Sequence, residues 1–192
     1  MEFGLKGKVA LVAAASKGLG YACALGLARE GTKVAICART PTEVEAAAAS
    51  IRAETGARCL PLVADVTQAK DLARIVDETV AQFGALHILV PNSGGPPAGT
   101  FETLDEAKWQ SALDSTLFGT TRLIHAALPH MKAVGWGRIV VITSTSVRQP
   151  IPGLLLSNTI RAGITGLCKT LSQEFAPYGI TVNTVAPGSY DT

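Results

Sequence analysis

The sequence predicts a three-layer α/β/α fold built on a doubly wound parallel sheet, and three observations carry that prediction. Short β-rich apolar runs alternate with longer segments of helical period along the whole chain. The runs have the character of strands covered on both faces. A glycine-bearing turn, Ser16-Lys17-Gly18-Leu19-Gly20, joins the first run directly to the first helical segment.

The predicted strands lie near Val9 to Ala13, Lys33 to Ala38, Arg58 to Val63, Leu86 to Val90, Arg138 to Thr143 and Thr181 to Val185. The first helix is expected from Leu19 to Glu30, ending at Gly31, a residue suited to the left-handed cap. A second starts at Thr40-Pro41-Thr42-Glu43, which reads as a capping box with proline in the first helical position. The third spans Gln68 to Phe83. The fourth opens on Thr103-Leu104-Asp105-Glu106, a second capping box, and continues to His130. The fifth covers Gly153 to Ala176, stopped by Pro177 and Gly179. No repeat, low-complexity tract or linker interrupts the series, so a single domain over residues 1–192 is expected.

Composition narrows the function classes. Seventeen basic and fifteen acidic side chains leave a net charge of +2, too small for the electrostatic footprint of a nucleic-acid binder. Hydrophobic residues at 47% and charged residues at 17% suit a globular protein with part of its surface covered by neighbouring elements or subunits. Lys6 and Lys8 ahead of Val9 to Ala15 imitate a secretory leader, but the run is short and leads straight into the glycine turn, so a buried strand explains it better. No run approaches the roughly 18 apolar residues of a membrane span, and a cytoplasmic location is expected. Cys23, Cys37, Cys59 and Cys168 have no clip spacing and read as buried, reduced thiols. His87, His125 and His130 have no metal-ligand spacing, and Trp109 and Trp136 read as core or interface anchors.

The turn after the first strand concentrates backbone N–H groups and the positive end of a helix on one spot, which suits a pyrophosphate. Ser16, Lys17, Gly18, Leu19 and Gly20 are the candidate residues there, and a turn that merely packs helix on strand is the alternative. A reader of unphosphorylated ribose carries a carboxylate at the end of strand two. This chain has Cys37-Ala38-Arg39-Thr40 instead. Arg39, with Lys17 approaching from the glycine turn, suits a 2′-phosphate, so NADP(H) is expected over NAD(H); an ordinary exposed cation is the alternative for Arg39. Asp65, after strand three, is a candidate acceptor for the adenine amino group or simply a carboxylate favouring the next helix. Asn92, Ser93, Gly94 and Gly95, after strand four, let the backbone come close to a cofactor or form a plain turn.

These residues, together with Asp65-Val66, Gly137 to Ser144 and Gly179 to Gly188, resemble the short-chain dehydrogenase/reductase family, nearest its 3-oxoacyl-(acyl-carrier-protein) reductase-like branch. The resemblance covers essentially the whole chain. It implies a Rossmann fold, a nicotinamide cofactor, and carbonyl/alcohol chemistry on a small molecule, with a 3-oxoacyl thioester as one substrate class. It also implies a homo-oligomer, dimer or tetramer, built partly on helices four and five. Ala14, Val66, Pro187, Gly188 and Thr192 join the cofactor-binding set on the same ground. A C-terminal strand and substrate loop are expected after Thr192 and are missing from this sequence.

Departures from the family pattern bear on chemistry. Ala13-Ala14 stand where the glycine motif opens with Thr-Gly, placing a methyl at the tightest part of the turn. The family's catalytic serine falls on Ser144, its tyrosine on Ser157, its lysine on Arg161 and its asparagine on Thr116. Ser157 and Arg161 are four apart and share a helix face. Arg161 is expected to donate to the nicotinamide ribose and present a fixed charge, while Ser144 and Ser157 polarise a carbonyl and water or Tyr190 supplies the proton. A helix-start hydroxyl and a solvated arginine are the alternative for that pair. Two functions remain open at this point: an NADP(H)-dependent oxidoreductase with an atypical active site, and a catalytically silent nucleotide-binding sensor or assembly subunit.

Overall fold

The computed structural model describes residues 2–188. Its elements run β1 Val9–Val12, α1 Gly18–Arg29, β2 Lys33–Ala38, α2 Pro41–Thr55, β3 Cys59–Val63, α3 Ala69–Phe83, β4 Ile88–Val90, α4 Glu106–Ala112, α5 Gly119–Val134, β5 Gly137–Ile142, α6 Leu155–Phe175 and β6 Ile180–Val185. One six-stranded sheet takes the order β3-β2-β1-β4-β5-β6. Every strand pairing is parallel, and Ala10 stands opposite both Val34 and Ile88. The chain leaves β1 toward β2 on one side and returns from β3 to β4 on the other. That reversal opens a crevice beyond the carboxyl ends of β1 and β4.

The sheet is covered on both faces because side chains along a strand alternate direction. Leu11 and Ala13 share a core with Leu72 of α3, Leu123 of α5 and Ile160 of α6. Ala10 and Val12 point the other way and pack with Ala24 of α1 and Val44 of α2. All four residues of β1 are buried, which explains why the strand reads as an unbroken apolar run.

Each strand and helix lies within a few residues of its sequence-predicted bounds, but four local expectations fail. Thr40 makes no side-chain cap; Pro41 starts α2 by its preset backbone, and the Glu43 carboxylate turns to Ser16 instead of back to the helix end. The second capping box also fails. Asp105, not Thr103, caps α4 by accepting from the Lys108 N–H at 2.9 Å, and the Thr103 hydroxyl accepts from the Thr100 N–H. The expected single fourth helix is interrupted by a π-helical segment, Leu113–Phe118, between α4 and α5. The fifth helix begins at Leu155, because Gly153 takes a positive φ of 76° that a right-handed helix cannot contain.

At the amino end of the sheet, His87 is a satisfied histidine: its Nδ1 accepts from the Val9 N–H at 3.1 Å. Lys8 Nζ and the Arg138 guanidinium lie 4.4 and 4.2 Å from the Trp136 ring, whose edge contacts His87. Burial, then the charges of Lys8 and Lys33, lowers the His87 pKa below its usual value. The neutral imidazole therefore contributes stability above about pH 6.5, and that contribution is lost as the pH falls from there through the lowered folded-state pKa. The melting temperature should hold between about pH 8 and 7 and decline toward pH 5.5, with a shallower decline in His87→Gln, which accepts without titrating. Equal slopes in the two proteins, measured by thermal melts across that range, would remove His87 as the cause.

Candidate active site

The first side of the site is the turn from β1 into α1. Ala14 is the one non-glycine residue with positive φ (47°) among the described residues, so the methyl at the tightest point is held in a left-handed conformation. The Ala14 carbonyl accepts from Asn92 Nδ2 at 3.3 Å, tying the turn to the end of β4. Gly20 sits directly beneath: a Cβ there would collide with the Ala14 carbonyl oxygen and come within 2.9 Å of Asn92 Nδ2. Glycine lets the helix approach the strand that closely.

The helix end this creates is unsatisfied. Lys17 is the cap residue of α1, makes no side-chain cap, and no acid lies in the first turn. By contrast α2, α3 and α4 carry Glu43, Asp71 and Glu106 in theirs. The leading N–H groups of Gly18, Leu19 and Gly20 have no intrahelical partner by position, and the macrodipole leaves positive charge there. Ala15 is excluded as an anion donor because its N–H is taken by the Cys37 carbonyl at 2.9 Å.

Of this turn, Ala14, Ser16, Lys17 and Leu19 line a crevice of about 640 Å³ that runs across the carboxyl ends of β1 to β4, while Gly18 and Gly20 lie just behind its lining. Its lining includes Ala14, Ser16, Lys17, Leu19, Arg39, Asp65, Val66, Asn92 and Gly94, nine of the sequence-predicted residues. The volume falls within the roughly 300–1,000 Å³ typical of small-molecule sites. Asp65 Oδ1 accepts from both the N–H and the hydroxyl of Thr67, each at 2.9 Å, so part of its capacity serves the loop into α3. Arg39 is exposed at the rim, and no hydrogen bond or ion pair engages its guanidinium among the described residues.

Ser111, Ala112 and Ser115, at the end of α4 and in the π segment, also line the crevice, whereas Thr116, Ser144, Ser157, Arg161, Pro187 and Gly188 lie outside its lining. Thr116 lies in the π segment and is buried; its carbonyl accepts from the Thr120 hydroxyl at 2.7 Å. The Ser144 hydroxyl accepts from the Ser146 N–H at 3.1 Å, which leaves its own proton free to donate outward. The Thr143 hydroxyl and N–H both donate to the Val185 carbonyl, and the Thr145 N–H donates to that of Pro187, so Pro187 and Gly188 are held beside Ser144. Helix α6 packs against both the Thr145–Val147 turn and the π segment. Thr192 and Tyr190 lie outside the described residues.

Arg161 corrects the reading of a solvated cation. It is only 8% exposed, and its Nη1 donates to the carbonyls of Ile142 at 2.7 Å and Thr143 at 3.1 Å. Burial lowers its pKa from the usual guanidinium value, and no carboxylate pairs with it among the described residues. Ser157, one turn earlier, is half-buried.

Sequence reasoning missed Glu43, Ser111 and Ser115, which also line the crevice. Glu43 was assigned to a cap, although its position on the first turn of the helix after strand two was a signal available in the sequence. Nothing in the helical period of residues 106–130 announced the π segment that carries Ser115 and Thr116 toward the site.

A switch-point crevice fed by an uncapped helix over a glycine-tight turn defines a Rossmann-type nucleotide-binding domain. The family described as short chain dehydrogenase matches residues 8–192, and the chain belongs to that family of NAD(P)(H)-linked oxidoreductases. It is 34% identical over 189 residues to dehydrogenase/reductase SDR family member 4 of Homo sapiens, covering 98% of this chain and 68% of that protein. It is 36% identical over 182 residues to the 3-oxoacyl-(acyl-carrier-protein) reductase FabG of Staphylococcus aureus, covering 94% of this chain and 74% of that one. Among solved structures it resembles L-sorbose reductase of Gluconobacter frateurii complexed with NADPH and L-sorbose. There the TM-score is 0.95 at 31% identity, covering 98% of this chain and 72% of that one. An NAD+-bound xylitol dehydrogenase matches with TM-score 0.91 at 31% identity, over 96% of this chain and 71% of that one.

The strained turn yields a pair of opposite predictions. Ala14→Gly should raise unfolding stability by up to about 1 kcal/mol by relieving the left-handed strain, partly offset by glycine's extra freedom in the unfolded chain. Gly20→Ala should cost about 1–3 kcal/mol through the clash with the Ala14 carbonyl. Urea denaturation of both variants checks the pair; a destabilised Ala14→Gly would mean that the methyl packs favourably.

Proposed function

We propose that this chain forms one nucleotide-binding unit over residues 1–192 of an NADP(H)-linked oxidoreductase that interconverts a carbonyl and an alcohol on a small molecule. 3-Oxoacyl thioesters are the first substrate class to assay. The observation that carries the reading is the uncapped amino end of α1 opening into a crevice whose ribose-side rim bears Lys17 and the unengaged Arg39. The amides of Gly18 to Gly20 would hold the pyrophosphate, Asp65 and Val66 the adenine side, and Asn92 and Gly94 the near wall. Pro187, Gly188 and Thr192 would flank the nicotinamide end. A homo-oligomer in the cytoplasm completes the reading, with four free cysteines and the exposed Phe101 and Phe118 in its support.

Bound nicotinamide supplies the hydride. The rest falls to this chain. Ser144 presents a hydroxyl proton whose oxygen is already committed to the Ser146 N–H, so it is set to donate to a substrate carbonyl. Thr116 and Ser157 supply further hydroxyls on the same side. Arg161 acts as a positioning residue: its two bonds to the end of β5 hold the backbone that presents Ser144, and its charge favours developing negative charge nearby. What the site lacks is a good acid. An aliphatic hydroxyl at residue 157 is far weaker than a phenol of pKa about 10, and a guanidinium does not relay protons, so water protonates the alkoxide and turnover is slow. The absence of a positioned acid costs about 10²- to 10⁴-fold.

Fluorescence titration should show saturable NADPH binding, and Arg39→Asp should weaken NADPH at least about tenfold more than NADH. Absence of NADPH binding by the full-length protein would overturn the proposal, and equal losses would remove Arg39 as the phosphate reader. The double variant Ser157→Tyr, Arg161→Lys should raise kcat by about 10²-fold or more on a substrate the wild type turns over slowly. Binding without turnover in both proteins, across ketones, quinones and 3-oxoacyl thioesters, would argue instead for a silent nucleotide-binding subunit.

A further inference from the structure

We infer that Glu43 determines how strongly the site separates NADPH from NADH, acting against Arg39; the inference rests on the nucleotide reading of the crevice. Three charged side chains stand at the ribose-side rim: Lys17, Arg39 and Glu43. The Glu43 carboxylate is the partner of the other rim groups. One oxygen accepts from the Ser16 hydroxyl at 3.3 Å, and the other lies 4.0 Å from Lys17 Nζ. Its side chain is half-exposed and that of Lys17 largely so, which makes the ion pair weak and easily exchanged for a ligand. Among the described residues Arg39 has no such partner.

The two cofactors differ only at the group these residues would face. A 2′-phosphate is an acceptor-only anion. Beside Glu43 it finds a second acceptor-only anion and a lysine already drawn toward that carboxylate, so the pair can form no hydrogen bond and repels. A ribose 2′-hydroxyl has a proton to give, and Glu43 can accept it. Arg39 reverses both preferences, because its guanidinium gains most from the phosphate. A rim with Arg39 and no carboxylate would favour NADPH more strongly, whereas a rim carrying both residues accepts either nucleotide with a narrowed preference for NADPH. Glu43 thus does at the first turn of α2 part of what a carboxylate at the end of strand two does in a reader of unphosphorylated ribose.

The experiment is a direct binding titration of NADPH and NADH against the full-length protein and its Glu43→Gln, Arg39→Ala and double variants, at low and moderate salt. Both side chains are exposed at the rim, and circular dichroism confirms folding of each variant. Glu43→Gln should tighten NADPH about five- to tenfold and leave NADH unchanged or slightly weaker, the shift shrinking as salt rises. Arg39→Ala should move the ratio the opposite way, and the double variant should return it toward wild type. Binding of both nucleotides with a ratio unmoved by Glu43→Gln would overturn this inference and leave the nucleotide site standing. Failure of the wild type to bind either would overturn both.

Discussion

The structure depends on how closely the amino end of α1 approaches the end of β1. Gly20 lies against the Ala14 carbonyl with no room for a side chain, and Asn92 takes the same carbonyl from the neighbouring strand. That contact does two things at once. It fixes α1 on the sheet face it shares with α2, and it aims the unpaired N–H groups of Gly18 to Gly20 over the crevice at the β1/β4 reversal. A side chain at residue 20 would push the helix away and the donors with it. The left-handed Ala14 is the cost of keeping the turn this tight without a glycine there.

The chemistry divides according to how each charge is held. At the rim beyond β2, the crevice's Lys17, Arg39 and Glu43 are charges in water, where ion pairs are weak. Beyond the crevice, at the end of β5, Arg161 is buried, with no carboxylate partner among the described residues, and its Nη1 donates to backbone carbonyls. A buried charge is tolerated when hydrogen bonds replace its hydration, and the carbonyl oxygens at the end of a strand are suitable acceptors. The same bonds pin the segment carrying Thr143 and Ser144. Thr143 and Thr145 stitch that segment to Val185 and Pro187, so the two chain segments are positioned as one unit.

Much of this was legible in the sequence because strands covered on both faces read as short continuous apolar runs and helices impose a period of about 3.6 on apolar residues. All six strands, the glycine turn, Arg39 and nine residues of the crevice lining could be read that way or from the family resemblance. The errors cluster where a side chain had more than one partner within reach. Glu43 was assigned to its own helix end and found Ser16 on another element. Thr103 yielded the cap to Asp105 two residues later. Residues 113–118 keep a helical composition, so nothing in their residue types distinguishes the π segment, which lies between α4 and α5 and packs against α6.

By itself the sequence determined which segments are strands and helices and which turn is held tight against β1, because these follow from local spacing and from glycine at a backbone position that admits nothing larger. Only the tertiary structure decided where the charges go. The solvated alternative for Arg161 fails, because its Nη1 turns inward to carbonyls eighteen and nineteen residues back. Glu43 crossed to a serine twenty-seven residues away. Long polar side chains span several ångströms, and the partner each takes is the one that folding brings within hydrogen-bond distance, a fact of three-dimensional proximity that linear order does not encode.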